Sequence, residues 1–75
     1  MSNYPEATPD YYEVLELDES ATVEEIKRAY RHMVRRYHPD ANPEASTALL
    51  FRQVQEAYET LRAPKARQRY DEQLL

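Results

Sequence analysis

Residues 22–40 read TVEEIKRAYRHMVRRYHPD, and the fold turns on how this stretch is read. Its first four residues fit a capping box: the Thr22 hydroxyl is placed to accept from the Glu25 amide, and Glu25 to reach back. Beyond them Ile26, Ala29, Tyr30, Met33 and Tyr37 recur at i, i+3, i+4, i+7 and i+11, one continuous apolar stripe. At about 100° per residue, Lys27, Arg28, Arg31 and Arg35 fall together on the opposite side, with Tyr30 and Val34 at the border. Glutamates in the first turn and arginines in the last suit the helix dipole. The pattern predicts a helix from Val23 to about Tyr37. Pro39 ends it, because proline has no backbone N–H and pushes His38 out of the right-handed helical region. The chain then makes a tight bend, with an imidazole and a carboxylate on either side of a proline.

Working upstream, residues 1–9 carry Pro5 and Pro9 with little hydrophobic periodicity and read as a flexible lead-in to one domain over residues 10–75. Asp10 is placed to cap a short helix from Tyr11 to about Leu15, with Tyr12 and Leu15 facing a core. Leu17 closes that segment by packing inward, and residues 18–21 form a polar linker. Downstream, Asn42-Pro43 reads as the cap and first residue of a third helix, with Ser46 as the alternative cap. This helix runs to about Arg62, its inward face Leu50, Phe51, Val54, Ala57, Tyr58 and Leu61. Two such helices joined by a short bend form an antiparallel hairpin. Pro64 opens a short fourth helix in which Ala66, Tyr70 and Leu74 share a face. Ala63 is a poor cap, so this last helix is expected to fray. The expectation is an all-α fold of four helices, with a long antiparallel hairpin between short first and last helices.

Composition supports that reading and closes several others. Seventy-five residues without a single glycine or cysteine leave no phosphate-cradling loop, disulfide framework or cysteine zinc site. A chain of this size buries only roughly 60% of its unfolded surface, too little to build a deep substrate cleft. The net charge of −4 conceals a polarity along the chain. Up to Glu25 the charged residues are all acidic; from Lys27 to Arg36 they are basic, with no acid at i, i+4 to neutralise them. Concentrated like charge opposes itself, so the basic face is expected to attract an anionic partner.

The acidic first residues read neither as a secretory signal nor as a transit peptide, and no apolar run reaches membrane-spanning length. A soluble protein of a reducing compartment, the cytosol, is expected. His38 and Asp40 lack a companion nucleophile, oxyanion donors or pocket, so no catalytic residue and no enzyme are expected. His32 and His38, six residues apart across the bend, make a poor metal pair, and no cofactor is expected. A small helical nucleic-acid-binding domain using the same basic helix is the main rival. Against it stand the acidic first third and the absence of asparagine or glutamine beside the arginines for base readout.

Taken together, the residues resemble the J-domain of DnaJ-type co-chaperones, the heat-shock protein 40 family. The resemblance runs from Asp10 to about Asp71. It rests on Asp10-Tyr11-Tyr12-Glu13-Val14-Leu15, Ile26-Lys27-Arg28-Ala29-Tyr30-Arg31, Tyr37-His38-Pro39-Asp40 with Asn42, Phe51, Glu56-Ala57-Tyr58, Leu61, Pro64, Arg67 and Tyr70-Asp71. The resemblance implies a binding module that docks on an ATP-bound DnaK-type heat-shock 70 chaperone and promotes its ATP hydrolysis, meeting unfolded clients only indirectly. By position, it implies Lys27, Tyr30 and Arg31 as contact face, His38, Pro39 and Asp40 as signal, and Asn42 and Arg67 as residues that support or extend the interface.

Asp40 would bond an arginine of the partner, Tyr30 would give an apolar anchor, and His38 would organise the loop. Three departures stand out: Glu16 where the family usually has glycine, His32 for a common basic residue, and Ala41 for a frequent basic residue beside the loop. A J-like assembly domain that does not stimulate is the second rival, but such domains usually lose the histidine or the aspartate. The chain reads as a J-domain cut from, or at the front of, a longer protein, and as a monomer in isolation.

Overall fold

The computed structural model describes residues 10–41 and 44–74. These form four helices and no strand: α1 (Tyr11–Val14), α2 (Val23–Tyr37), α3 (Ala45–Leu61) and α4 (Pro64–Leu74). The lead-in assigned to residues 1–9, and the cap assigned to Asn42-Pro43, lie outside the described residues.

Helix α2 has the expected bounds and capping box. The Glu25 amide donates to Thr22 Oγ1 at 3.1 Å, and the Thr22 amide donates to the Glu25 carboxylate at 2.8 Å. Those bonds from Thr22 hold the Glu25 carboxyl below the usual carboxylate range, with Arg28 adding to the effect. At the far end His38 is extended, with φ −61° and ψ 136°, as a residue before proline must be.

Helices α2 and α3 form the antiparallel hairpin. Tyr30 stacks on Tyr58 with ring centroids 3.9 Å apart, while His38, further along, meets Phe51, earlier in α3. Helix α3 also packs against α1 and α4, so it is the element the others share. Between them lies a core of Tyr12, Leu15, Ala21, Ile26, Met33, Val54, Ala57 and Leu61. Each fully buried Leu, Ile or Met contributes about 1.5–3 kcal/mol.

Helix α1 is a single turn, too short to persist alone, and its ends explain how it is held. Asp10 accepts from the Tyr12 amide at 2.8 Å as N-cap. At the other end the Leu17 amide bonds the Tyr12 carbonyl at 2.8 Å and the Glu16 amide bonds the Glu13 carbonyl at 3.0 Å. That pair of bonds is a Schellman ending, and it requires a left-handed residue after the cap. Glu16 takes that position with φ 58°. The turn therefore keeps the shape a glycine would give it.

Two expectations need correction. Helix α3 starts at Ala45, and its N-cap is Glu44, which makes no side-chain capping bond; Ser46 sits inside the first turn. Leu50 is 42% exposed rather than inward. Its angular position matches the core face, but the buried positions of α3 begin one turn later, at Val54. Helix α4 runs unbroken from Pro64 to Leu74. It is held by tertiary contacts: Tyr70 stacks on Tyr11 at 4.7 Å, and Tyr70 and Leu74 pack against the core.

Candidate docking site

The exposed side of α2 presents Arg28, Arg31, His32, Arg35 and Arg36, with Lys27 half-buried at its edge. Among the described residues, Lys27, Arg28, Arg31 and Arg35 have no carboxylate within ion-pair distance. Arg36 does: its guanidinium lies 3.8 Å from the carboxylate of Glu16 and 5.4 Å over the ring of Tyr37. The acid comes from the turn after α1, which the spacing within α2 could not reveal.

The bend after α2 is organised by its histidine. The Asp40 amide donates to His38 Nδ1 at 3.1 Å, and the Ala41 amide donates to the His38 carbonyl at 2.9 Å. Nδ1 accepts, so in this arrangement the ring proton sits on Nε2. The Asp40 carboxylate, 3.7 Å from the same Nδ1, is therefore not bonded to it. The His38 ring stands edge-on to Phe51 at 5.5 Å. One imidazole thus closes the turn and anchors it to α3, while the Asp40 side chain, 95% exposed, projects outward. A buried carboxylate would need a partner inside the fold; this one has kept its hydration and its acceptor lone pairs.

Other residues singled out from the sequence fall in different places. Tyr30 is half-buried and stacked on Tyr58, so one ring face is spent on the hairpin seam. Pro39 is exposed in the bend. Asn42 lies outside the described residues. Arg67 turns inward, its side chain 18% exposed. Its Nε–H donates to the Tyr12 hydroxyl at 3.0 Å, and its Nη2 donates to the carbonyls of Glu19 at 3.0 Å and Ala21 at 2.7 Å. Tyr12 in turn donates to Asp71 at 2.5 Å. Burial, then the bond to Asp71, raises the Tyr12 phenol above its usual range. These bonds tie α4 to the linker before α2. The bend lies at the other end of that helix, about 22 Å away at 1.5 Å per residue.

Phe51 is the residue that the sequence pattern undervalues: its spacing assigns it to core packing, whereas in the fold it forms the seat of His38. Aromatic spacing alone does not distinguish the two roles.

A family model described as DnaJ domain matches residues 10–71. The chain belongs to the DnaJ-domain family. The J-domain is similar to the chaperone protein DnaJ of Shouchella clausii, 52% identical over 63 residues, and to that of an Exiguobacterium species, 54% identical over 65 residues. Those matches cover 84% and 87% of this chain but only 17% and 18% of the relatives. The chain thus spans less than a fifth of the length of these relatives. Among solved structures, the solution structure of the J-domain of human DnaJ subfamily C member 12 is similar, with a TM-score of 0.78 and 33% identity. The match covers 96% of this chain and 65% of that one. The fold of this J-domain is thus shared with that human domain. No described helix is long and apolar enough to cross a membrane.

Proposed function

We propose that this J-domain docks on a DnaK-type heat-shock 70 chaperone through the basic face of α2 and the bend at its C-terminal end. Docking stimulates ATP hydrolysis by the chaperone and so promotes client capture. The observation that supports this most is the outward Asp40 carboxylate, held by a loop whose own histidine closes the turn. A preorganised carboxylate beside uncompensated cations suits a partner that offers both an arginine and an acidic surface.

In this reading Lys27 and Arg31, with Arg28 and Arg35, steer the encounter and set its salt dependence. Tyr30 offers its uncovered ring edge as an apolar contact, and Asn42 is assigned to support or extend the interface. His38 and Pro39 hold Asp40 in place. Arg67 supports the interface indirectly, by fixing the N-terminal approach to α2. The domain, residues 10–75, works as one unit.

The test is single-turnover ATP hydrolysis by a DnaK-type chaperone, with wild type and Asp40→Asn side by side. Wild type should accelerate hydrolysis and the variant should not, while both keep the same helical circular dichroism and the same melting temperature. Acceleration by Asp40→Asn at the wild-type level would refute the role given to the loop.

A further inference from the structure

Glu16 combines two features that are independent of each other. It occupies a left-handed backbone position, φ 58°, at the helix ending where glycine carries no side-chain penalty. A carboxylate-bearing side chain there is disfavoured by the backbone and brings no packing in return, since the residue is exposed. Yet that side chain reaches across to another element and meets Arg36 at 3.8 Å, one residue before Tyr37-His38-Pro39-Asp40. Arg36 is held on a second side by the Tyr37 ring. Elsewhere on the same face, among the described residues, Lys27, Arg28, Arg31 and Arg35 have no acid within ion-pair distance. The neutralisation is selective for the cation nearest the loop.

We propose that Glu16 is a built-in counter-charge that restrains docking: it engages Arg36 and slows association of the domain with the chaperone. The inference rests on the docking reading above. Both side chains are more than half exposed, so the pair is a dynamic surface contact that a stronger acceptor on the partner displaces. Its effect is therefore a modulation of encounter rate rather than a block. Exposed pairs of this kind correspond to about a two- to fivefold change.

The experiment is stopped-flow association of the labelled domain with the ATP-bound chaperone, at low and high salt. The variants are Glu16→Gln, Glu16→Gly, Arg36→Gln and the Glu16→Gln/Arg36→Gln pair, each checked by thermal melting. Glu16→Gln and Glu16→Gly should both raise the association rate about two- to fivefold at low salt, and the gain should shrink at high salt. In the Arg36→Gln background Glu16→Gln should add little. An unchanged rate in Glu16→Gln overturns the inference while leaving the docking reading intact. So does a gain confined to Glu16→Gly, which would assign the effect to backbone strain. An equal gain with and without Arg36 overturns the specific pair. Failure of wild type itself to bind the chaperone overturns the docking reading and this inference with it.

Discussion

Replacing Arg67 by alanine should cost this domain about 3 kcal/mol of stability. The guanidinium makes three hydrogen bonds at 2.7–3.0 Å while its side chain is only 18% exposed, so solvent screens little of their strength. The Ala21 carbonyl is the acceptor that suffers most, because Ala21 is itself buried. Losing a charged donor to such a group costs about 1.5–3 kcal/mol. The Glu19 carbonyl can turn to water, and the Tyr12 hydroxyl keeps Asp71, so those two losses are smaller. The guanidinium also lies 5.5 Å over the Tyr12 ring, worth about 0.5–1 kcal/mol more.

A domain of this size has a total stability of about 4–11 kcal/mol, so the variant would be marginal. For two-state unfolding the shift corresponds to roughly 12–24 °C in melting temperature. Thermal and urea melts followed by far-UV circular dichroism measure it. Arg67→Lys, which keeps the charge but cannot span all three acceptors, should recover only a minor part. A loss below about 1 kcal/mol for Arg67→Ala would refute the clamp. Well below its melting point the variant should still stimulate a chaperone, because the loop lies at the far end of α2. Loss of stimulation in the folded variant would make Arg67 a direct contact instead.

Binding to the chaperone should weaken about tenfold as salt rises from about 0.05 to about 0.5 M, since exposed charges are screened over that range; a flat titration would count against the basic face. Alkali should destabilise the domain through Tyr70, whose phenol is pushed up from 10.0 to about 12, by burial first and then by the charge of and bond to Asp10, against the lowering bond from the Tyr11 amide. The fold favours the neutral phenol, so this stabilisation is complete below pH 10.0 and is lost as pH rises through about 12. Tyr70→Phe should flatten the fall in melting temperature over that window, and an unchanged slope would remove Tyr70 as its cause. Glu16→Gly should be more stable by up to about 1 kcal/mol. Relief of a left-handed residue, about 1–2 kcal/mol, outweighs the added freedom of the unfolded chain, about 0.4–1 kcal/mol. A lower melting temperature would mean that the ion pair with Arg36 outweighs the strain.

Much of the site was legible because it is local. The capping box, the apolar stripe of α2, the break at Pro39 and the outward carboxylate each depend on residues within a few positions of one another. So does the short first helix with its Asp10 cap. Periodicity located the hairpin and most of its buried face for the same reason. It failed at Leu50, where the angle around the helix was right but coverage depends on how far neighbouring elements reach. The departure at Glu16 was visible as an unusual residue, though not as an ion pair.

The sequence by itself determined four helices, a cationic face and a proline-stiffened loop, since backbone preferences and helical spacing act over one or two turns. Only the tertiary structure decided what those parts lean on. It seated His38 on Phe51, paired Glu16 with Arg36, and drew Arg67 onto carbonyls 46 and 48 residues earlier in the chain. Such contacts join groups whose separation along the chain carries no pattern. They form because packing around α3 brings the donors and acceptors together once water has been excluded between the helices.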